Sequence, residues 1–505
     1  MDIPNSSNQL RQVREDKLKK IQAITGEAYP RKAHTTHSLV DFIKDFQSLD
    51  ETALQGITRT VSIMGRIVSL RDQGKTIFLH LFEGGVKVQV YLRKDALSDL
   101  QWELMHLVDL GDFISVEGTL MRTKTGELTL RANTVTFLAK ALLPLPEKWH
   151  GLQDIEIRYR QRYLDLISDE EVFKIFEQRS RLVASLRIYM NQLGYLEVET
   201  PMMHSIPGGA TARPFVSHHN ALDVPLYLRI APELFLKRLI IGGFRKVFEI
   251  NRNFRNEGLS TRHNPEFTMM ESYAAGEDLR DMMNLLEGLI RFLAQQVTGK
   301  MHLPWGDISI DYESPFRRMT LRESLISIGG FSEEEVHSYD FMKTFCASIG
   351  VSNCENKSIG LLQFYAFENR VESRLVQPTF ITDYPVEVSP LTKLIQGSDS
   401  IVDRFELFIG GMELANAYSE LNDPIDQLKR LEIQSQDRDK GDEEAMHIDH
   451  EFVTAMEHGM PPAGGQGLGI DRLVMLLTNQ TSIRDVILFP LMRPLKANED
   501  PLEKT

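Results

Sequence analysis

The most informative stretch of the sequence runs from Phe254 to Thr268 and reads FRNEGLSTRHNPEFT. We expect a strand, a polar loop and a second strand here, compact enough for Arg255, His263 and Phe267 to face one ligand. An arginine offers a planar fork of donors to a phosphate, and an aromatic ring offers a stacking face to adenine. Solvated surface hairpins often look similar, so this stretch alone leaves both interpretations open.

A second informative stretch, GLGIDRLVMLL, begins at Gly467. Its glycines permit close approach of the backbone to another group, and the apolar helix that follows has Arg472 near its start. A single arginine at the start of a buried helix is also typical of a structural ion pair. Alone, the glycine run from Gly465 would be a flexible loop, because it lacks the preceding strand of a dinucleotide-binding motif.

A third stretch, ELANAYSE, covers residues 413–420. In an extended segment, the alternation of Asn416, Tyr418 and Glu420 puts three polar side chains on one face. An exposed strand face would look similar, although such faces rarely repeat these residues between small ones.

Other nucleotide-binding signatures fail. Gly74-Lys75-Thr76 resembles the end of a phosphate-binding loop, but Ser69 stands where that motif requires glycine. The class I synthetase signatures do not occur in the sequence either.

Composition limits the remaining possibilities. The 505 residues are 42% hydrophobic and 25% charged, which predicts a globular protein of at least two domains. A net charge of −14 confines any nucleic-acid contact to a local region. The first residues lack a basic start followed by an apolar run, and no stretch approaches the roughly 18 apolar residues of a membrane span. We therefore expect a cytoplasmic protein without a membrane segment. Cys346 and Cys354 lack zinc-site spacing and are expected to be reduced structural thiols.

The chain changes texture along its length. Residues 1–54 are expected to form a helical extension with a basic helix near residues 10–28, which could contact RNA or simply be solvated. Five alternating runs in residues 55–145 predict a small Greek-key barrel such as the OB-fold. Residues 146–165 are expected to form a linker. Residues 166–505 are expected to form an α+β domain with a mixed sheet, flanking helices and a helical insertion near 330–375.

Together these stretches resemble the class II aminoacyl-tRNA synthetases, and most closely the lysine-specific family of bacteria and eukaryotes. Residues 194–201 resemble motif 1, residues 254–268 motif 2 and residues 467–477 motif 3. The lysine-specific likeness rests on ordered stretches across the chain: His150 to Asp154, Arg158 to Leu166, Ile206 to Ala210, Ala231 to Arg238 and Asn416 to Asp423. The resemblance implies a class II mixed, largely antiparallel sheet with flanking helices, preceded by an all-β OB-fold barrel.

The resemblance also implies an ATP site. Arg255 would hold the α-phosphate and the substrate carboxylate, while Phe267 and Arg472 would enclose the adenine. Glu257, His263 and Asn264 would complete the pocket, with Arg255 and Arg472 as the catalytic pair. Glu406 and Glu413 would bind Mg²⁺, a hard cation that prefers oxygen ligands.

For lysine, the resemblance implies that Glu233 and the backbone near Gly209 receive the α-amino group and that Asn416 helps to hold the carboxylate. The residues around the side chain would be Glu271, Tyr273, Tyr418 and Glu420. Physical chemistry supports the acidic lining independently, because a buried ammonium is tolerable only when it is paired and hydrogen-bonded. Excluding ornithine is harder, since one missing methylene is worth only about 1–3 kcal/mol. We therefore expect some misactivation.

The implied reaction joins lysine to tRNA(Lys) through a lysyl-adenylate, with release of pyrophosphate and then AMP. The partners would be ATP, lysine, tRNA(Lys) and a second copy of the chain in a homodimer. The barrel would read the anticodon through Arg66, Phe78 and Gln89, with Phe78 as the stacking ring. Without the resemblance, ordinary barrel packing and surface polarity would explain these three residues.

Two positions depart from the family pattern. Gln466 stands where an apolar residue is usual before motif 3, which leaves the detailed shape of the pocket rim open but not the catalytic set. Tyr418 stands where many bacterial members have Phe.

Three alternatives were weighed against this interpretation. A ligase for aspartate or asparagine would need cationic or amide donors where this pocket is acidic. A shortened paralogue that lysylates a translation factor would lack the barrel, and a non-catalytic RNA-binding descendant would not need the intact Arg255, Glu406, Glu413 and Arg472.

Overall fold

The computed structural model describes residues 5–146, 154–439 and 447–495. Residues 150–153 of the family-like stretch, and the end of the charged segment after 439, lie outside the described residues. The chain divides into two compact units, one of residues 1–175 with 492–505 and one of residues 176–491. No helix among the described residues is long and apolar enough to cross a bilayer.

The first unit is built around a closed five-stranded barrel with strand order β1-β2-β3-β5-β4. Its strands are β1 (Val61–Asp72), β2 (Thr76–Glu83), β3 (Val86–Arg93), β4 (Phe113–Arg122) and β5 (Leu128–Ala139). Its helices are α1 (Asn5–Thr25), α2 (Leu39–Phe46), α3 (Glu51–Gln55), α4 (Asp99–Leu107), α5 (Ile155–Arg160) and α6 (Arg162–Ser168). In β2 and β3 buried and partly exposed residues alternate, so every second side chain fills the barrel. The predicted OB-fold barrel is confirmed.

The basic helix near the N-terminus is α1, and two of its cations serve the barrel unit itself. The guanidinium of Arg14 is buried and donates to the carbonyl oxygens of Ala141, at 2.7 Å, and Leu143, at 3.0 Å. The ammonium of Lys17 pairs with Asp109 at 2.6 Å. These contacts favour a structural role for both side chains over contact with RNA.

The second unit contains an eight-stranded mixed sheet and two small sheets. Its strands are β6 (Leu196–Glu197), β7 (Met203–His204), β8 (Val216–His219), β9 (Val224–Leu228), β10 (Lys246–Phe254), β11 (Glu266–Ala275), β12 (His302–Trp305), β13 (Ile308–Asp311), β14 (Arg317–Thr320), β15 (Thr379–Pro385), β16 (Ile401–Ile409), β17 (Met412–Ser419) and β18 (Ala463–Gly469). The large sheet has the order β14-β15-β16-β17-β18-β11-β10-β6. Its neighbours are antiparallel except for β14 with β15 and β10 with β6. The predicted α+β class is confirmed.

Helices flank this sheet. They are α7 (Glu170–Gln192, within which the unit boundary falls), α8 (Glu233–Ile241), α9 (Leu279–Thr298), α10 (Leu321–Ser327), α11 (Glu333–His337), α12 (Tyr339–Ser348), α13 (Ile359–Arg370), α14 (Pro424–Asp439), α15 (His450–Glu457), α16 (Ile470–Leu477) and α17 (Ile483–Val486). Three short 3₁₀ helices span Cys354–Asn356, Glu372–Arg374 and Val386–Val388.

Local sequence explains where the longest flanking helix begins and ends. Helix α9 starts at a capping box in which Asp278 and Asp281 satisfy each other's backbone N–H groups. It ends at Gly299, whose left-handed φ of 71° suits glycine. One apolar stripe of the helix is buried, and it packs against β17 and β18.

Helices α11, α12 and α13 occupy the region where we expected a helical insertion. Their apolar residues share a core with β15 and β16. Cys346 and Cys354 lie in this core as free, buried thiols that donate to backbone carbonyl oxygens. This arrangement agrees with the reduced structural thiols expected from their spacing.

The glycine run before motif 3 is a strand. Residues 463–469 form β18, which pairs with β11 on one side and β17 on the other. The interpretation of this run, taken alone, as a flexible loop is therefore wrong. Glycines fit in β18 because large side chains from neighbouring segments occupy the space that side chains at Gly465 and Gly467 would need.

Candidate active site

The register of the central sheet brings the predicted polar residues to one face. Directly opposed residues in neighbouring strands project to the same face. The first cross-strand row contains Glu406, Asn416, Gly467 and Glu271. The second row, two residues along, contains Arg404, Tyr418, Gly465 and Tyr273.

Gly465 leaves the space in which the polar side chains meet. A Cβ added there would lie 1.9 Å from Glu420 Oε1 and 2.4 Å from Tyr273 Cε1. No side chain fits at these distances, so glycine at this position is a requirement of the site.

Three buried carboxylates line the deepest part of this face. Glu233, at the start of α8, is 4% exposed, Glu271 on β11 is 5% exposed and Glu420, just after β17, is 1% exposed. The Tyr273 hydroxyl donates to Glu271 Oε2 at 3.2 Å. Burial, together with the negative charge of Glu233, raises the pKa of Glu271 to about 8. Burial also raises the pKa of Glu420 to about 8, against the opposing effect of Lys237.

Lys237 is the cation of this cluster, and the sequence did not single it out. Its ammonium lies 2.6 Å from Glu233 Oε1 and 2.5 Å from Glu420 Oε2, and all three side chains are buried. It also lies 5.4 Å from the ring centroid of Tyr418. Burial by itself would lower the pKa of Lys237, but the two carboxylates raise it overall. The ammonium is therefore charged.

Gly209 lies directly against this cluster. Its φ of 86° is in the left-handed region, and an added Cβ would lie 3.0 Å from the Cβ of Glu233. The backbone there can approach a ligand held by Glu233 because no side chain intervenes.

Asn416 is oriented by Arg404. The Arg404 Nε donates to Asn416 Oδ1 at 3.0 Å, which leaves the Asn416 amide nitrogen to donate elsewhere. The same guanidinium bonds Glu406 and the Val388 carbonyl oxygen and stacks 4.8 Å from the Tyr384 ring. The sequence did not indicate a role for Arg404 either, because an arginine two residues before a glutamate in a strand is typical of an exposed strand face.

The motif 2 hairpin places Arg255 beside Phe267. The Arg255 guanidinium carbon lies 5.2 Å from the Phe267 ring centroid, and its buried Nε has no hydrogen-bond partner. Asn264 is buried with its Oδ1 likewise unpartnered. Buried polar atoms without protein partners are uncommon and suit a polar ligand.

His263 joins this hairpin to the start of α16. Arg472 Nη2 lies 3.0 Å from His263 Nε2, and Ser260 Oγ lies 2.9 Å from His263 Nδ1. Since arginine can only donate, Nε2 accepts and Nδ1 carries the proton. Partial burial and the positive charge of Arg472 lower the pKa of His263, in agreement with a neutral ring. Glu257 is exposed in the same loop, and its charge opposes this shift.

Asp471, at the start of α16, connects motif 3 to the motif 2 hairpin. Its Oδ2 accepts the backbone N–H of Thr268 at 2.7 Å, and its Oδ1 pairs with Arg179 at 2.6 Å. The hairpin and α16 are thereby fixed relative to each other. Arg472 also bonds the Glu413 carbonyl oxygen, which brings the predicted metal-binding strand to the same site.

Glu406 and Glu413 satisfy the chemistry of a Mg²⁺ site. Burial, together with the negative charges of Glu413 and Glu372, raises the pKa of Glu406 to about 7 against the opposing charge of Arg404. A divalent cation would relieve this repulsion. Among the described residues no cluster of three or more acidic, His or Cys side chains could hold a metal. Mg²⁺ is typically bound through one or two carboxylates together with substrate phosphates, and Glu406 and Glu413 are two such carboxylates.

Gln466 points away from the site. Positions 465 and 467 face the carboxylates, so the intervening residue projects to the other side, where a Cβ on Gly464 would meet Met282 of α9. The Gln466 amide nitrogen donates to Ser272 Oγ at 3.0 Å, and both residues are buried. Gln466 therefore lies on the opposite face of the sheet and does not line the pocket rim.

On the barrel, two of the three predicted anticodon residues lie together. Phe78 is directly opposite Tyr91, with 4.6 Å between their ring centroids, and Gln89 is one cross-strand row away. The amide of Gln89 bonds Glu127 and Thr129.

Arg66 is not brought into this group. Its guanidinium donates to the Gly111 carbonyl oxygen at 2.9 Å and lies 4.4 Å from the Phe113 ring centroid, and burial lowers its pKa. The exposed Arg71 is directly opposite Phe78, and the exposed Arg131 is directly opposite Tyr91, so two arginines lie beside the aromatic pair.

Comparison with known protein families agrees with the resemblance seen in the sequence, both for the synthetase domain and for the barrel. The family described as tRNA synthetases class II (D, K and N) matches residues 154–493, and the OB-fold nucleic acid binding domain matches residues 61–138. The chain therefore belongs to the class II aminoacyl-tRNA synthetases.

The relatives narrow the family. The lysine–tRNA ligase of Carboxydothermus hydrogenoformans is 49% identical over 491 residues, which cover 96% of this chain and 98% of the relative. Those of Citrobacter koseri and Escherichia coli strain K12 are each 47% identical over 496 residues, covering 98% of both chains. Within its class the chain belongs to the lysine–tRNA ligases, which attach lysine to tRNA.

Proposed function

We propose that the chain activates lysine as a lysyl-adenylate on the face formed by β10, β11, β16, β17 and β18, and then transfers it to tRNA(Lys), releasing pyrophosphate and AMP. One observation carries this proposal. The sheet register places Glu271 and Tyr273 in the same cross-strand rows as Asn416 and Tyr418, beside a buried acidic cluster suited to the ammonium groups of lysine.

Within this proposal the carboxylates divide the substrate's positive charges. Glu233 and the backbone at Gly209 receive the α-ammonium. Glu420 and Glu271, supported by Tyr273 and Tyr418, receive the side-chain ammonium. The free amide nitrogen of Asn416 donates to the carboxylate of lysine.

Arg255 and Arg472 act on the nucleotide. Arg255 binds the α-phosphate and the lysine carboxylate, where its fixed charge stabilises negative charge that develops during adenylate formation. Phe267 and Arg472 hold the adenine, with Glu257, His263 and Asn264 around it. No side chain serves as a nucleophile, since the lysine carboxylate itself attacks the α-phosphorus.

Glu406 and Glu413 would hold Mg²⁺, which supplies positive charge to the phosphates of ATP. Replacement of Glu413 by Gln is expected to raise the Mg²⁺ concentration needed for half-maximal activity. An unchanged Mg²⁺ requirement would remove Glu413 from this role.

The Arg255→Ala variant tests the core of the proposal. We expect lysine-dependent exchange of pyrophosphate into ATP to fall by about 10²–10³-fold, the range seen when one donor to a developing oxyanion is removed. The Tm should be unchanged, because the buried Nε of Arg255 has no hydrogen-bond partner in the fold that the substitution could remove. Wild-type exchange rates in this variant would contradict the assignment.

We infer that the outer face of the barrel around Phe78 and Gln89 reads the anticodon of tRNA(Lys). Two adjacent aromatic rings and the exposed Arg71 and Arg131 support this, because unpaired bases stack on aromatic rings and phosphates attract arginine. We propose the boundaries 55–145 for this domain and 166–505 for the catalytic domain, with 1–54 as extension and 146–165 as linker.

A homodimer and a cytoplasmic location are further parts of the proposal. Apolar residues are exposed on or next to α7, the two-residue edge strand β6 and the three-stranded sheet β7-β9-β8, and a second copy would cover them. They are Ile188, Leu193, Leu196, Met203, Val216, Leu222 and Val224. Sedimentation that shows only monomers at micromolar concentration would contradict the dimer. The cytoplasmic location is proposed from the lysine–tRNA ligase activity named for the relatives, and recovery of the protein in another compartment would contradict it.

A further inference from the structure

The ammonium of Lys237 lies between two carboxylates that have different tasks in the proposed function. Lys237 follows Glu233 by one helical turn on α8 and has no solvent exposure. It contacts Glu233 Oε1 at 2.6 Å and Glu420 Oε2 at 2.5 Å. Glu420 lies just after β17, so the ammonium links the helix to the end of a sheet strand across the site.

Simple stability does not explain a lysine here. Removing an ion pair from water costs more than its attraction returns in many proteins, and apolar residues of similar volume are often as stable. The surroundings offer such packing, since Leu234, Leu236 and Ile240 of the same helix belong to a hydrophobic core. The charge is therefore better explained by the site that it faces.

The charges in the site support a positioning role. The Lys237 ammonium pairs with Glu233 and Glu420, and Glu271 is the third buried carboxylate of the cluster. These four side chains therefore carry a net charge of two negative units when all three carboxylates are ionised. Lysine brings two ammonium groups, and its carboxylate is the partner proposed for Arg255. The balance is reached only if both ammonium groups of the substrate are bound at once.

We propose that Lys237 is a specificity-determining positioning residue, whose ammonium holds Glu233 and Glu420 at the separation that matches the two ammonium groups of lysine. The inference rests on the roles given to these carboxylates in the proposed function. A substrate one methylene shorter, such as ornithine, can reach one carboxylate well but leaves the other short of its partner. A pocket that merely filled space would discriminate a missing methylene by roughly 10–200-fold. A fixed pair of buried carboxylates should discriminate more strongly.

The test compares lysine with ornithine in pyrophosphate–ATP exchange by the full-length protein. The readout is the selectivity, the ratio of kcat/KM for lysine to kcat/KM for ornithine. In Lys237→Met, which keeps the length of the side chain and removes its charge, we expect selectivity to fall at least tenfold. In Lys237→Arg we expect kcat/KM for lysine to exceed that of Lys237→Met because charge is retained. Selectivity should still fall, because a guanidinium spaces the carboxylates differently.

Lys140→Met is a matched control. Lys140 is also a buried lysine paired with two carboxylates, at 2.5 Å from Asp109 and 2.7 Å from Asp112, but it lies in the barrel unit. It should lose thermal stability without any change in selectivity.

Equal losses of kcat/KM for both amino acids in the Lys237 variants, with selectivity unchanged, would overturn the inference and leave Lys237 a structural residue. A lower KM for lysine in Lys237→Met would also overturn it, because Lys237 would then compete with the substrate. If Lys237→Met does not fold, unchanged selectivity in Lys237→Arg is sufficient to reject the role. Failure of the proposed function is distinguishable, because the wild-type protein itself would then not exchange pyrophosphate with lysine.

Discussion

Replacing Gly465 by Ala should damage the lysine site and leave the ATP site intact. The new Cβ would lie 1.9 Å from Glu420 Oε1, 2.4 Å from Tyr273 Cε1 and 2.7 Å from Tyr273 Cδ1. Neither neighbour is free to move, because Glu420 pairs with Lys237 and the Tyr273 hydroxyl donates to Glu271. The backbone itself tolerates alanine, since Gly465 is not among the positive-φ glycines of the described chain.

The size of the effect follows from the cost of overpacking. Adding a methyl group to a packed interior costs about 1–3 kcal/mol. If the loss falls on lysine binding, it corresponds to a roughly 5- to 140-fold increase in KM at 1.4 kcal/mol per tenfold. The assay is pyrophosphate–ATP exchange with lysine varied at saturating ATP, and then with ATP varied at saturating lysine. KM for ATP should be unchanged.

Gly464→Ala is the matched control for this prediction. Its Cβ would face the opposite side of β18, 3.0 Å from the flexible Met282 side chain and from the Asp278 carbonyl oxygen. We expect a small loss of thermal stability and an unchanged KM for lysine. A folded Gly465→Ala protein with wild-type KM for lysine, or equal changes in both variants, would refute the proposed position of the lysine site.

Three further predictions follow from the structure. The pKa values of Glu271 and Glu420, about 8, lie above those of exposed carboxylates, so the free folded protein binds more protons than the unfolded chain. The free energy of unfolding should therefore decrease as pH rises from about 4.5 to about 8. Lysine needs these groups ionised, so the increase in Tm that it causes should be larger at about pH 8.5 than at about pH 6.5, and thermal denaturation showing a pH-independent increase would count against the acidic pocket. The double variant Ser272→Ala with Gln466→Leu removes a buried polar pair together and should leave stability equal or higher and KM for lysine unchanged; an altered KM would mean that Gln466 does reach the site. Phe78→Ala should weaken tRNA binding by roughly 5- to 140-fold, from about 1–3 kcal/mol for one stacked base, without affecting tRNA-independent exchange; unchanged tRNA affinity would exclude Phe78 from the anticodon surface.

Periodicity and motif spacing were sufficient to predict both folds. The alternation of apolar and polar residues in β2 and β3 indicates strands with one buried face, whatever their pairing. Five such strands separated by turn residues are compatible with few folds, one of which is the small barrel. The polar alternation of Asn416, Tyr418 and Glu420 likewise indicated one shared face, which the pairing of β17 with β18 now supplies.

Register and burial could not be predicted in the same way. Lys237 stands four residues after Glu233 on a helix, the spacing of an ordinary exposed ion pair, and only tertiary packing makes this pair a buried one. Arg66 and Arg71 lie on the same strand on either side of a register shift between Ile67 and Ser69, so the sequence alone does not reveal which arginine lies opposite Phe78.

The face of the sheet to which Gln466 projects can be predicted from the alternation of side chains along a strand. Once Gly465 and Gly467 are recognised as the positions over which the substrate face is built, the residue between them must project to the other side of the sheet. Gln466 is therefore a core residue against α9, and its unusual polarity is matched by Ser272 on the neighbouring strand.

The most direct test of the account is amino-acid-dependent exchange of pyrophosphate into ATP, run with each of the twenty amino acids and followed by attachment to tRNA(Lys). We expect exchange with lysine, a far weaker exchange with ornithine, and transfer of lysine to the tRNA. Exchange with a different amino acid, or none with any, would contradict the proposed lysine site.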